Sequence, residues 1–317
     1  GQWAPGFAAL AAAPRSARHT LARLTLKPGL FTAHGRDAAG SCWLDGLGVD
    51  VGSHAPGAWL AGPPAPAPRV HASHKGSHGD VAVIGGEGLA VRGMGMTGAA
   101  ILAASAALHA GAGRVLLALL DAGASPALPA WPELMLRRVD ALQLDHGAVV
   151  CGCGGGQAVA AWLPDVLQRA SRLVLDADAL NAIALDSTLQ GLLQQRGQRP
   201  GCATVLTPHP LEAARLLGGT AASVQADRLA GAQTLAERHG CTVLLKGSGS
   251  IIAAPGQVPH VNPTGNALLA TGGTGDVLAG LVGARLAAAP AASAAAAFDA
   301  AVQACWQHGA VADNWPA

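Results

Sequence analysis

The stretch NPTGNALLATGGTGDVLAGLVGARL, residues 262–286, runs from a cluster of glycines into an apolar helical pattern. Four glycines and Asp276 lie between residues 272 and 280. Glycine lets backbone amides approach a ligand closely, and the first turn of a helix presents unpaired N–H groups with a partial positive charge. The stretch therefore predicts an anion-binding loop at the start of a helix.

Asp276 is the one carboxylate of this loop, where a purely structural acid would repel a bound phosphate. We interpret Asp276 as a base that takes the proton from an attacking hydroxyl while the helix N-terminus holds a transferring phosphoryl group. The alternative is an ordinary N-cap aspartate. The density of glycines around Asp276 favours the catalytic role.

Outward from this stretch, short apolar runs alternate with alanine-rich helical patterns, as in DVAVIGG (80–86) and TGAAILAASAALHAGAG (97–113). Continuous apolar strands joined by crossover helices predict an α/β fold with a mostly parallel sheet covered on both faces. Ligands of such sheets bind at the carboxyl ends of the strands. Polar or glycine-rich clusters follow four predicted strands and should line one pocket: GCGGG (152–156), DAD (176–178), TPHP (207–210) and KGSGS (246–250).

Composition excludes some classes of function. The 317 residues are 50% hydrophobic, carry a net charge of +1 and include only 3% aromatic residues, so a large core is expected but a nucleic-acid partner is not. No leader or membrane-spanning pattern is found, so no membrane partner is expected. The six cysteines lack C-x-x-C spacing, which fits a reducing cytoplasm.

Three parts are predicted along the chain: an N-terminal segment at 1–61, a linker at 62–74 and the main domain at 75–317. The proline- and histidine-rich linker region has no apolar period. The spacing of His71, His74 and His78 would allow a metal site, although a solvated tract is the favoured interpretation.

Four motifs together resemble the ADP-dependent NAD(P)H-hydrate dehydratases of the ribokinase superfamily. They are VLDADALN (174–181), VLTPHPLEAARLLG (205–218), LLKGSGSII (244–252) and NPTGNALLATGGTGDVLAG (262–280). The resemblance covers about residues 75–313 and implies a ribokinase-like fold. One departure is GCGGG, which stands where the family usually has a G-P-G-L-G type loop, and it puts the stiffness of that loop in question.

The resemblance also implies roles for individual residues. Asp276 would contact the hydrated nicotinamide ring, His209 would touch the same substrate, and Ala99 and Gly156 would lie against the dinucleotide. HPLE is similar to an N-x-x-E element of the superfamily's kinases, so Glu212 would order Mg²⁺ through water. The role of Asp176 is left open. The residues expected to hold the adenine nucleotide are Lys246, Gly247, Ser248, Gly249, Ser250, Thr274 and Gly275.

Residues 19–50, which contain LKPGL and LDGLGVD, are similar to the final strands of the NAD(P)H-hydrate epimerase domain that precedes the dehydratase in bifunctional repair enzymes. Because only the tail of that domain is recognisable, no epimerase activity is expected. The alternative is a short N-terminal extension packed on the main domain.

The activity implied is nicotinamide-nucleotide repair: dehydration of the S-form of NADH hydrate and NADPH hydrate with Mg²⁺ and ADP or ATP, releasing phosphate and AMP or ADP. Two alternatives stay open, a ribokinase-type small-molecule kinase and a nucleotide-binding protein without catalysis. The sequence decides neither ADP against ATP nor the oligomeric state, because alanine-rich helices would serve a homo-oligomer interface or a core equally well.

Overall fold

The structure, a computed structural model, describes residues 18–316 except 53, 66–69, 122 and 124–127. Two strands, β1 and β2, pair in a small parallel sheet, and the other described strands form one large sheet. The strands are β1 (His19–Arg23), β2 (Ser41–Asp45), β3 (Trp59–Leu60), β4 (Asp80–Gly85), β5 (Arg114–Leu119), β6 (Met135–Leu136), β7 (Ala148–Cys151), β8 (Arg172–Leu175), β9 (Ala203–Leu206), β10 (Thr242–Leu245), β11 (Ile251–Ala253) and β12 (His260–Val261).

The helices lie on both faces of the large sheet, and short 3₁₀ turns join several elements. The helices are α1 (Ala33–Ala39), α2 (Leu89–Arg92), α3 (Thr97–His109), α4 (Leu163–Arg169), α5 (Ala177–Leu185), α6 (Ser187–Gly197), α7 (Pro210–Leu217), α8 (Ala221–Ala226), α9 (Arg228–His239), α10 (Thr274–Ala287) and α11 (Ala294–Asp313).

The large sheet has the order β3-β12-β11-β10-β9-β8-β7-β4-β5-β6. The run from β10 to β6 is parallel throughout, and only the β10–β11 and β11–β12 pairs are antiparallel. Crossover helices between parallel strands place the strands' carboxyl ends at one edge. The predicted α/β fold with a mostly parallel sheet is confirmed.

The core lies on both faces of the sheet because its central strands are apolar on both sides. In β4, Val81 and Val83 pack with α3, α10 and α11, whereas Ala82 and Ile84 pack into the core on the opposite face. Side chains of a strand alternate between faces, so a strand buried on both faces must be continuously apolar. This is why DVAVIGG could be assigned as a strand.

The N-terminal segment packs on the main domain. Strand β3 pairs in parallel with β12 at the edge of the large sheet, and the Ala33 amide donates to the Ser248 carbonyl at 2.9 Å. The predicted linker begins directly after β3, and its residues 66–69 lie outside the described residues. The similarity of residues 19–50 to an epimerase tail stays a prediction.

Two of the three histidines at the end of the linker region, His74 and His78, make local hydrogen bonds. His74 accepts from the Gly76 amide at the start of the 3₁₀ turn Lys75–His78, and His78 contacts the Ser73 hydroxyl at 3.3 Å. Among the described helices, none has both the length and the apolar character needed to cross a bilayer. No disulfide joins the six cysteines, all of which lie within the described residues.

Candidate active site

The loops after β7, β8, β9 and β10 meet the start of α10 at the carboxyl edge of the sheet. Helix α10 begins after Gly273, whose φ of +95° is rarely adopted by other residues, and a Cβ there would lie 2.6 Å from the Leu102 side chain. The first helical hydrogen bond runs from the Val277 amide to the Gly273 carbonyl at 3.0 Å. The preceding amides, including those of Thr274 and Gly275, therefore have no partner within the helix.

Asp276 lies in the first turn of α10, while Gly273 occupies the N-cap position. The N-cap alternative for Asp276 is therefore wrong. Burial raises the pKa of the Asp276 carboxyl, and the nearby Asp176 carboxylate raises it further. A carboxyl with a raised pKa holds a proton more firmly after taking it, which suits a general base.

Asp176 forms a buried cluster with its neighbours. The residue is 1% exposed, and its carboxylate accepts from Lys246 Nζ at 2.6 Å and from Thr207 Oγ1 at 2.8 Å. One ligand atom each of Cys153, Asp176 and Asp276 lies within 4.8 Å of the other two. Burial raises the pKa of the Cys153 thiol well above its ordinary value, so the thiol stays protonated beside the two acids.

The sequence did not assign Asp176 a role, and its backbone supports a functional one. The next residue, Ala177, has φ of +46°, a conformation that costs a non-glycine residue free energy and clusters at functional sites. The Asp176 carboxylate stabilises the charged form of Lys246. Burial alone would lower the pKa of the Lys246 ammonium, but the charges of Asp176 and Glu212 outweigh burial and raise that pKa.

His209 and Glu212 form a capping box at the start of α7. The His209 ring accepts from the amides of Leu211 and Glu212, and Glu212 Oε2 accepts from the His209 amide at 2.8 Å. The other carboxylate oxygen, Oε1, lies 3.3 Å from His209 Nε2. Burial raises the pKa of the Glu212 carboxyl to about 7, although Lys246 opposes this shift. Burial lowers the pKa of His209, as does the charge of Lys246.

A cavity of about 350 Å³ opens beside Lys246 and the start of α10. Six of the seven residues predicted to hold the nucleotide line it: Lys246, Gly247, Ser248, Ser250, Thr274 and Gly275. Gly249 faces the N-terminal segment, since a Cβ there would lie 2.8 Å from the Phe31 carbonyl carbon. Arg228 holds this loop in place by donating hydrogen bonds to the carbonyls of Leu245, Lys246 and Gly249.

Sequence reasoning missed other residues of this cavity. The residues Asn262, Thr264, Gly265 and Asn266 line it, and they belong to the NPTGN element that carried the resemblance, so that motif could have indicated them. The last helix supplies His308 and Gly309, and the N-terminal segment supplies Arg36 and Asp37. Nothing in the sequence pattern indicated these last four.

Ala99 and Gly156 do not line this cavity; they lie where the loop at 152–156 contacts the start of α3. A Cβ on Gly154 would lie 2.9 Å from the Ala99 Cβ, so the loop and the helix touch closely. Cys153 of the same loop approaches Asp276. The glycine loop therefore borders the acidic cluster through Cys153, and the cavity borders it through Lys246 and Gly275.

The buried Glu87 holds the end of the glycine loop. It accepts from the amides of Gln157 and Ala158 at 3.0 and 3.1 Å and forms an ion pair with Arg92 at 2.5 Å. Burial alone would raise the pKa of the Glu87 carboxyl, but the hydrogen bonds from Arg92 and the amides lower it. Glu87 is thus a fixed anion beside Gly156.

The mostly parallel α/β sheet and a glycine-rich helix start that carries an aspartate are typical of a ribokinase-like enzyme. A ribokinase-like superfamily protein from Enterococcus faecalis V583 superposes with a TM-score of 0.63 at 26% identity, covering 78% of this chain and 83% of that one. The ADP/ATP-dependent NAD(P)H-hydrate dehydratase from Bacillus subtilis, co-crystallised with ATP/Mg²⁺, gives a TM-score of 0.63 at 28% identity, covering 80% and 86% of the two chains.

The chain belongs to the NAD(P)H-hydrate dehydratase family, whose sequence model matches residues 81–317. It is 41% identical over 253 residues to the ADP-dependent (S)-NAD(P)H-hydrate dehydratase of Neisseria meningitidis serogroup B, covering 77% of this chain and 80% of that protein. It is 37% identical over 320 residues to the bifunctional NAD(P)H-hydrate repair enzyme of Escherichia coli K12, covering 94% of this chain but only 56% of that protein.

Proposed function

We propose that this protein dehydrates the S-form of NADH hydrate and NADPH hydrate with ADP or ATP as the phosphoryl donor, releasing phosphate and AMP or ADP. Family membership and the names of its relatives support this assignment. One observation carries the mechanism: the Asp276 carboxyl lies within 4.8 Å of Cys153 in the glycine loop, and Asp276 directly follows Thr274 and Gly275, which line the cavity. An acid there can reach both substrates.

The chemical problem is that hydroxide is a poor leaving group. In our proposal the hydroxyl oxygen of the ring attacks the terminal phosphorus of the nucleotide while Asp276 accepts the hydroxyl proton. The bond between that phosphorus and the bridging phosphate oxygen breaks. The ring nitrogen's lone pair then expels phosphate, which leaves with the electrons of the carbon–oxygen bond. Loss of a ring proton restores the dihydronicotinamide.

Groups around Asp276 serve the transferring phosphoryl group. The amides at the start of α10, which have no partner within the helix, would stabilise negative charge that develops on the phosphoryl oxygens. The Lys246 ammonium, which pairs with Asp176, would do the same. His209 would contact the dinucleotide with its ring, which is 46% exposed. Ala99 and Gly156 would leave room for the dinucleotide beside Glu87 and α3.

The residues present fit a Mg²⁺ ion bound together with nucleotide phosphates. Mg²⁺ prefers oxygen ligands and usually takes one or two carboxylates plus phosphates and water. Asp176 can supply such a carboxylate, which leaves Asp276 as the base. Bound Mg²⁺ would neutralise charge on the nucleotide phosphates. Both Glu212 oxygens contact His209, so Glu212 would act on the ion only through water. If the rate of a Glu212→Gln enzyme depends on the Mg²⁺ concentration as the wild-type rate does, Glu212 does not order the ion.

The test is to incubate the protein with NADH hydrate, Mg²⁺ and either ADP or ATP, and to follow recovery of the dihydronicotinamide absorbance together with phosphate release. Recovery that requires nucleotide establishes the function and identifies the preferred donor. Nucleotide binding without recovery would support a protein that binds nucleotide but lacks catalysis. Turnover of nucleotide with other alcohols, and none with the hydrate, would support a small-molecule kinase.

A further inference from the structure

Part of the N-terminal segment lies across the nucleotide cavity. Residues 28–39, here called the strap, comprise the 3₁₀ turn Pro28–Leu30 and helix α1. The strap contacts two loops that wall the cavity, at 246–250 and at 262–266. It also places Arg36 and Asp37 in the cavity lining.

The strap joins the first loop through backbone groups. The Ala33 amide donates to the Ser248 carbonyl at 2.9 Å, and the Ser248 hydroxyl lies 3.4 Å from the Ala33 carbonyl oxygen. Gly249 has φ of +66°, and a Cβ on it would lie 2.9 Å from Thr32 Cα. The loop therefore meets the strap closely enough that only glycine fits at the contact.

Arg36 joins the strap to the second loop. Its guanidinium donates to the carbonyls of Pro263 and Gly265, each at 2.6 Å, and lies 3.4 Å from that of Thr264. Hydrogen bonds from a charged donor are stronger than neutral ones, and the rigid guanidinium fork fixes geometry as well. One side chain thus sets the conformation of three consecutive residues, two of which line the cavity.

We propose that the strap is a working part of the nucleotide site: it fixes both walls of the cavity, so nucleotide affinity depends on the N-terminal segment. The proposal rests on the proposed function for the identity of the nucleotide. A loop held in its binding conformation loses less entropy when the ligand binds, and this raises affinity. The glycine loop at 152–156 does not line the cavity and is held by Asp178 and Glu87, so dinucleotide binding should not depend on the strap.

The experiment compares Arg36→Ala with Arg23→Ala, which changes an exposed arginine of β1 in the same segment. We expect Arg36→Ala to raise the Kd for ADP, measured by calorimetry without hydrate, and the KM for ADP by about tenfold, because two charge-assisted hydrogen bonds are lost. The KM for NADPH hydrate should stay the same. Arg23→Ala should change none of these, and Arg36→Lys should recover part of the loss.

An Arg36→Ala protein that folds and keeps the wild-type Kd for ADP would overturn the proposal. Because this Kd is measured without hydrate, its result does not depend on the proposed function. The proposed function fails separately, if wild-type protein binds ADP but regenerates no NADPH. If Arg36→Ala does not fold, hydrogen exchange on wild-type protein gives the test. Linkage is reciprocal, so saturating ADP should slow exchange of the Ala33 amide, and unchanged exchange across the strap would refute the coupling.

Discussion

Gly280→Ala is expected to destabilise the protein, because α3 and α10 touch at this glycine. A Cβ on Gly280 would lie 2.9 Å from the Ala103 carbonyl carbon and closer still to its oxygen. Carbon atoms pack at about 3.5–4.0 Å, so the helices must move apart by roughly half an ångström or more. Overpacking of a core costs about 1–3 kcal/mol, which the better helix propensity of alanine offsets by up to about 1 kcal/mol.

A contact this close belongs at the upper end of that range, so the net loss is about 2 kcal/mol, which should lower the Tm by roughly 4–8 °C at about 2–4 °C per kcal/mol. Thermal unfolding followed by circular dichroism measures it. Gly191→Ala in α6 is the matched control, because nothing lies within 4 Å of its Cβ position and only helix propensity changes. We expect that control to keep or raise the Tm. If Gly280→Ala melts as high as Gly191→Ala, the helices separate at no cost and the argument from backbone contact is wrong.

Three further predictions concern the acids of the site. Asp276→Asn should lower kcat by about 10²–10⁴-fold while ADP still binds. Single-turnover rates would measure the first effect and calorimetry the second. Full turnover by this variant would exclude Asp276 as the base. Asp176→Asn should move the acid limb of the kcat/KM profile to lower pH, since the Asp176 charge helps to raise the pKa of Asp276; an unmoved limb would contradict this coupling. The third prediction uses the Glu212 carboxyl, whose pKa burial raises from 4.5 to about 7. Folded protein therefore keeps this proton to a higher pH than unfolded protein does. As the pH rises through this window, wild type should lose stability relative to Glu212→Gln. The difference in denaturant unfolding free energy should change by up to roughly 3 kcal/mol between about pH 5 and about pH 8, and a constant difference would refute the shift.

The main strands and most helices were predictable because their patterns are strong. β4 is apolar on both faces, and α3 is rich in alanine, so period and length distinguish strand from helix. Helix α6 was not predicted, because its glutamines and central glycine give no clear apolar period; the Asp186 carboxylate caps it by accepting from the Thr188 and Leu189 amides. Edge strands of two residues, such as β3 and β6, are too short to carry a pattern.

The candidate site was predictable where motifs follow strand ends. The rule that ligands bind at the carboxyl edge of a parallel sheet brings Lys246, His209 and Asp276 together without any knowledge of their contacts. The rule does not say which groups pair, so the buried link between Lys246 and Asp176 required the structure. Arg36 lies more than 200 residues before its loop partners, and no periodicity connects positions so far apart.

The glycine loop shows how a departure in sequence need not weaken a site. GCGGG lacks the proline and leucine usual in the family, and this loss kept open the alternative of a protein that binds nucleotide without catalysis. In the structure, two carboxylates hold the loop instead: Asp178 accepts from the Gly156 amide at 2.8 Å, and Glu87 accepts from the two amides that follow. Several charge-assisted hydrogen bonds in a buried loop restrict it as a proline ring would. Because the loop is held and Asp276 is retained beside it, the altered sequence gives no reason to expect an inactive protein.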